Sequence, residues 1–263
     1  MRRCVIAPPS RILVTGASPG GIGGAICRRL VTDAIASGAR PRIVISSLGE
    51  DSTAVLGGEL DRLGASVMGL PGDLADPAFP AKLAKAAAGY CGGLDLVVSN
   101  AGRSQSGPLA ALDPAGWDAA MDLHAKAAWL LARTAFPHLE ASGGSFIATG
   151  SITGTMPNAG RGAYPVAKAA LIMLCQVLAA EWAPSGVRVN VVSPGLVGTQ
   201  SRPKPHAGEV VPLGRAGTPE DVAGAVAFLA SADAGFITGQ NIVIDGGLTG
   251  AGLDLIGRWW PHG

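Results

Sequence analysis

The 263-residue sequence has little charge, few aromatic side chains and little cysteine, and each shortage excludes something. Asp, Glu, Lys and Arg make up 15% of the chain, and 20 basic against 19 acidic side chains leave a formal charge of +1. A chain so nearly neutral has no field with which to grip a phosphodiester backbone, so no nucleic acid is expected as a partner. The four cysteines, Cys4, Cys27, Cys91 and Cys175, show no C-x-x-C spacing. They suggest neither a zinc site nor a disulfide framework, so no metal is expected and a reducing, cytoplasmic setting fits best. Residues 1–10 hold only Cys4-Val5-Ile6-Ala7 before Pro8-Pro9, short of the ~7–15 apolar residues of a signal-peptide core. No apolar run is read as reaching the ~18 residues of a membrane helix, so no membrane partner is expected either.

What the chain has in abundance is apolar surface and glycine. Hydrophobic residues are 48% of the total, enough to offset conformational entropy by burial, which argues against disorder. The 39 glycines follow no three-residue period, so they belong at turns and close contacts. No linker divides the chain. The reading is an extension over 1–10 and one domain over 11–263.

Apolar runs of strand length recur at 12–15, 43–45, 67–70, 94–99, 145–149, 187–192 and 242–244. Stretches with helical spacing lie between them, such as Ile22, Ile26 and Leu30, or Val166, Ala170 and Leu174. The alanine-rich segment 81–88 reads as a good helix former, and two long helices are expected over 117–136 and 163–183. Strands apolar on both faces, joined by helix-length connections, predict an α/β fold: a doubly wound, parallel, seven-stranded sheet with helices on both faces. Segment 199–212, with Pro203, Pro205 and Pro212, reads as a loop, either a cover for a ligand or a plain surface excursion.

The first strand runs into Gly16-Ala17-Ser18-Pro19-Gly20-Gly21-Ile22-Gly23-Gly24. Glycines there admit a pyrophosphate close to the backbone, where the free N–H groups and dipole of a helix N-terminus favour its charge. A tight strand-to-helix turn with no ligand is the plainer alternative. Tyr164 and Lys168, four residues apart, share one face of a helix, and Pro165 suits its first turn. Lowering a phenol from a pKa of ~10 to neutrality takes roughly 4 kcal/mol. A cation at ~4 Å in an effective dielectric of ~20 supplies about that much before desolvation.

Taken in order, Thr15-Gly16, Gly21-Ile22-Gly23, Asp73-Leu74, Ser99-Asn100-Ala101-Gly102, Ser151, Tyr164-x-x-x-Lys168, Pro194 to Thr199 and Gly239 to Gly247 resemble the short-chain dehydrogenase/reductase family over nearly the whole chain. The resemblance implies a Rossmann fold, bound NAD(P)(H), and hydride transfer between nicotinamide and a small alcohol or ketone. By it, Tyr164 is the general acid/base, Ser151 bonds the reacting oxygen, and Lys168 lowers the phenol pKa and binds ribose. Gly16, Ser18, Gly21, Ile22 and Gly23 would cradle the diphosphate. Asp73 and Leu74 would flank adenine, and Asn100, Ala101 and Gly102 would pass close to the cofactor. Pro194, Gly195, Val197 and Thr199 would meet the nicotinamide end.

Three departures from the family pattern stand out. The glycine turn carries one extra residue, which Gly20 and Gly21 are expected to absorb. Met121-Asp122-Leu123 is followed by His124 where the family places Asn, so His124 either carries protons between Lys168 and solvent or only fills space. The second strand ends at Ser47 rather than an acidic residue, with Leu48 where NADP-preferring relatives place Arg and with Glu50 and Asp51 nearby. That leans slightly to NADP. Thr153, Met156, Asn158, Ser193, Gly195 and 200–211 are candidate substrate walls. The helices over 117–136 and 163–183 are those that relatives pair in homotetramers or dimers, and the tail with Trp259-Trp260 is expected to pack on a neighbour. A regulator that binds cofactor without turnover, and a sugar epimerase or dehydratase on a related scaffold, are the competing readings.

Overall fold

The computed structural model describes residues 8–199 and 201–251. The expectations for segment 4–7 and for Trp259-Trp260 lie outside them. Seven parallel strands form one sheet: β1 (Arg11–Thr15), β2 (Arg42–Ser46), β3 (Ser66–Gly69), β4 (Leu96–Ser99), β5 (Ser145–Thr149), β6 (Arg188–Pro194) and β7 (Asn241–Ile244). Their order is β3-β2-β1-β4-β5-β6-β7. The helices of the described residues are α1 (Ile22–Ala36), α2 (Glu50–Arg62), α3 (Phe79–Cys91), α4 (Pro114–Met121), α5 (Ala127–Ser142), α6 (Tyr164–Trp182), α7 (Ala207–Val210) and α8 (Pro219–Ala230).

Strand periodicity divides the core in two. Leu13 and Val97 point to the side covered by α3, α5 and α6, where they meet Leu83, Leu131 and Leu171. Ile12 and Val14 point to the other side, against Ile26 and Val31 of α1 and Val222 and Val226 of α8. Each of these fully buried side chains contributes roughly 1.5–3 kcal/mol. That is why the central strands read as continuous apolar runs and not as alternation. The sheet order reverses direction between β1 and β4. Chain entering and leaving there passes to opposite faces, so a crevice opens at the carboxyl ends of these two strands.

Several element boundaries differ from the sequence pattern. The run 94–99 becomes a strand only at Leu96, and just before it the Asp95 carboxylate accepts the backbone N–H groups of Ser10 and Arg11 at 3.1 and 2.9 Å. The sixth run begins at Arg188 and continues to Pro194, since β7 pairs alongside it with Pro194 opposite Ile244. The segment 117–136 is not one helix. α4 starts earlier, where Asp113 caps it by accepting the Gly116 N–H at 2.7 Å, and a π-helical turn over Asp122–Lys126 separates it from α5. Pro137 sits inside α5, just past the expected end at 136, and the helix stops instead at Gly143 in the left-handed region, φ 62°. Within 199–212 the short helix α7 interrupts the loop.

The expectation about membrane-length runs is also corrected. Tyr164–Ser185, a helical stretch of 22 residues, has the length and composition of a membrane span, with mean hydropathy 1.5 over an 18-residue window, but it packs along β6 with Leu171, Cys175 and Leu178 in the core. Cys27, Cys91 and Cys175 are buried and unpaired.

Candidate active site

β1 delivers Gly16 to the crevice at φ 63°, a left-handed conformation that disfavours any side chain. A Cβ there would also stand 2.6 Å from the Cα of Ala101, so β1 and the segment after β4 approach as closely as two backbones can. The extra residue of the turn is taken up between Ser18 and Gly21, where the Gly21 N–H donates to the Ser18 carbonyl at 3.1 Å. Neither Gly20 nor Gly21 needs a left-handed φ to do so.

Gly21 is the N-cap of α1 and offers no side-chain bond to it. The first N–H groups of the helix are therefore without intrahelical partners, and the turn packs so closely on the helix that a Cβ on Gly23 or Gly24 would stand 2.3 Å from the carbonyl oxygen of Gly16 or Ser18. This cradle suits a diphosphate. Across it, Asn100 donates from Nδ2 to the carbonyls of Thr15 and Gly16 at 3.2 and 3.1 Å and accepts the Thr149 hydroxyl at 3.0 Å. One side chain thus fastens the ends of β1, β4 and β5.

Beyond β5, Ser151 begins a 3₁₀ turn and shares a 3.0 Å hydrogen bond with the Thr153 hydroxyl. Tyr164 is the first residue of α6, and Lys168 follows one turn later, buried, donating from Nζ to the Thr149 carbonyl at 2.7 Å. The Lys168 nitrogen stands 5.8 Å from the centroid of the Tyr164 ring. Here the expected activation of the phenol is not found in the protein alone. Burial raises the Tyr164 pKa above its ordinary value, with the Ser151 hydroxyl and the Arg161 charge opposing that rise. Lys168 is turned toward a carbonyl, and burial lowers its own pKa to about 8. Activation therefore depends on what binds beside it.

His124 stands on the π-helical turn, buried, with Nε2 3.0 Å from the Arg103 carbonyl oxygen and its ring edge-on to Tyr164 at 5.1 Å between centroids. Burial, followed by the charge of Lys168, holds its pKa down to about 3. The structure thus brings Ser151, Tyr164, Lys168 and His124 together at the mouth of the crevice, with Asn100 and the glycine turn beside them.

The remaining expected contacts are mixed. Ser47, at the end of β2, bonds the Gly49 carbonyl at 3.0 Å and the Thr53 hydroxyl at 2.9 Å, so its single proton already has internal partners. Asp73 is exposed and accepts the Ala75 N–H at 2.9 Å. The Leu74 side chain belongs to the core. Gly195 is needed where β6 ends after Pro194, since a Cβ would lie 2.6 Å from that of Asp245. Val197 pairs with Gly217, and Thr199 has its N–H and hydroxyl engaged with Arg202. Ser193 is corrected as a substrate wall: it is fully buried and donates to Asn241 at 2.6 Å.

Sequence reasoning missed Thr149, whose carbonyl and hydroxyl hold Lys168 and Asn100, and Gln105, which bonds both the Gly116 carbonyl and the Ala163 N–H. It also missed Arg161, whose place three residues before Tyr164 was the one available signal. Arg161 and Arg103 lie on neighbouring loops, joined where Gly107 pairs with Arg161, and Arg202 reaches Ser104 at 3.3 Å.

Comparison with known proteins places this geometry. The family model described as enoyl-(acyl carrier protein) reductase matches residues 16–249. Human dehydrogenase/reductase SDR family member 4 is 34% identical over 248 residues, covering 90% of this chain and 87% of that protein. The 3-oxoacyl-(acyl-carrier-protein) reductase of Salmonella typhimurium is 35% identical over 243 residues, covering 90% and 96%. Among solved structures, a short chain dehydrogenase from Burkholderia cenocepacia in complex with NADP superposes with a TM-score of 0.84 at 32% identity, covering 91% of this chain and 98% of that one. A parallel sheet with a glycine cradle at its switch point, facing a tyrosine and a lysine one helical turn apart, is accounted for by this kinship: the chain belongs to the short-chain dehydrogenase/reductase family.

Proposed function

We propose that the protein transfers hydride between a nicotinamide dinucleotide and a secondary alcohol or ketone, with Tyr164 moving the proton. The observation that carries this reading is the convergence of Ser151, Tyr164 and buried Lys168 beside the glycine turn at the N-terminus of α1. When bound, the dinucleotide supplies the hydride chemistry. The chain's own part is to hold the diphosphate at the N-terminus of α1, to keep Lys168 at the Thr149 carbonyl and to present the Tyr164 hydroxyl. Ser151 shares the charge that develops on the substrate oxygen as the phenol gives or takes its proton. Burial keeps Tyr164 protonated in the protein alone, so the phenol is ready to give its proton to the substrate oxygen in the reducing direction.

Ser47 places no carboxylate at the end of β2, which favours NADP, while Glu50 and Asp51 in the first turn of α2 oppose it. The lean to NADP is therefore small. At the mouth, Arg103, Arg161 and Arg202 are exposed and free of ion pairs among the described residues, which favours carbonyl substrates that carry a negative charge. Val166, Met173 and Val177 make an exposed apolar stripe along α6, next to Trp129 of α5, suited to pairing with a second copy in a dimer or tetramer.

The test is a screen of purified protein with both reduced dinucleotides against matched neutral and carboxylate-bearing ketones, following nicotinamide absorbance, with the oligomer measured by sedimentation. Turnover with at least one ketone is expected. Binding of a dinucleotide with no turnover across the panel would favour the regulator instead.

A further inference from the structure

Tyr164 is the first residue of α6, and the end of a helix is its least secured part, because the N–H groups of the first turn have no intrahelical acceptors. Ala163 closes that end without a side-chain cap, and Val166, three residues on, has no acceptor with which to reach back. The acceptor comes from 58 residues away. Gln105 Oε1 accepts the Ala163 N–H at 3.0 Å, while Nε2 of the same side chain donates to the Gly116 carbonyl of α4 at 2.6 Å. One amide thus ties the end of α6 that bears the phenol to a second helix.

Only a group with a donor on one side and an acceptor on the other serves both bonds. A carboxylate has no hydrogen to give Gly116, and an aliphatic chain can do neither. The surroundings fit that amide closely: a Cβ on Gly162, whose φ is 53°, would stand 2.8 Å from Oε1. The loop that carries Gln105 is itself pinned, since the Gly107 N–H donates to the Gly160 carbonyl at 3.0 Å and its carbonyl accepts the Gly162 N–H at 2.9 Å. Behind these bonds lies a small apolar cluster of Ala163, Ala167 and Ala120, with Leu112 and Met121 at its edge. Contacts of that kind hold α6 against α4 but have no direction, whereas the two bonds of Gln105 do.

We propose that Gln105 is a positioning residue for the proton transfer, holding the N-terminus of α6 so that the Tyr164 hydroxyl stays within reach of Ser151. The effect on turnover rests on the hydride-transfer reading; the tie between the two helices does not.

Hydrogen exchange in the cofactor-free protein tests the tie. Gln105→Leu is expected to speed exchange of the Ala163 amide at least ~10-fold while the amides of β1 and β5 stay as slow as in the wild type. An Ala163 amide that is equally protected in both proteins, or unprotected in the wild type, overturns the proposal. In kinetics, Gln105→Leu is expected to lower kcat roughly 10- to 100-fold, with the dinucleotide Kd and the ketone KM within about threefold of the wild type. The solvent deuterium isotope effect on kcat is expected to grow, because proton transfer becomes the slow step. A kcat within about threefold of the wild type, or a slower variant with an unchanged isotope effect, also overturns it. Gln105→Glu keeps the acceptor for Ala163 and gives up the donor to Gly116, so it is expected to fall between the wild type and the leucine variant in exchange and in kcat; wild-type values of both would contradict the two-sided tie. If the wild type reduces no ketone, the functional reading fails, while exchange at Ala163 still decides the tie.

Discussion

Lys168 is an ammonium with 3% of its surface exposed and one carbonyl as its hydrogen-bond partner, so its charge costs stability that only a ligand can return. Burial lowers its pKa from 10.5 to about 8. The sign follows directly. Below pH 8 the side chain is charged in both folded and unfolded chains, and the full cost is present. Between about 8 and 10.5 the folded chain has released its proton and the unfolded chain has not, so stability rises with pH by about 1.4 kcal/mol per unit. Lys168→Met is therefore expected to stabilise the cofactor-free protein by about 1–2 kcal/mol at pH 7, after loss of the bond to Thr149, and to lower turnover at least ~100-fold. Urea denaturation read beside a turnover assay checks both. A methionine variant that is less stable than the wild type would mean that the ammonium is not held at a cost. The sequence pattern showed that Lys168 shares a helix face with Tyr164, but not what Lys168 touches: its partner is a backbone carbonyl 19 residues away on β5.

Among the elements, the turn from β1 into α1 and the break between α4 and α5 differ in how well their residues announced them. Glycine is the residue that permits φ 63° at position 16, and a run of glycines before an apolar helix is visible in any reading of the chain. Gly16→Ala adds the cost of a left-handed alanine, about 1–2 kcal/mol, to a collision with Ala101. We expect a loss of about 2–4 kcal/mol in stability and at least tenfold weaker dinucleotide binding, read by denaturation and calorimetry. Unchanged affinity would show that the cradle is not the diphosphate site. The π-helical turn was not legible, because α and π turns bury much the same apolar spacing and Asp122-Leu123-His124-Ala125-Lys126 carries no glycine or proline to mark it. The expected helix end at 136 fell short for another reason. A proline inside α5 forfeits one hydrogen bond, and Leu139 in the core keeps the helix going to Ser142 regardless.

At the scale of the whole molecule, the apolar runs were sufficient to foresee a parallel sheet, since strands buried on both faces need helices on both faces. Spacing put Tyr164 and Lys168 on one helix face, whereas Ser151 came only with the family resemblance. Partners across the sheet were not: Ser193 was read as facing substrate, and it faces Asn241 on the next strand instead. The same topology puts the glycine turn and the N-terminus of α6 at one end of the sheet, where the proposed dinucleotide would touch both. The most direct test of this account is Tyr164→Phe, which removes one hydroxyl and leaves the cradle untouched. Calorimetry of dinucleotide binding beside steady-state turnover is expected to give a Kd within about threefold of the wild type and a kcat lower by ~10³ or more. A phenylalanine variant that turns over within tenfold of the wild type would contradict the assignment of the proton transfer to Tyr164.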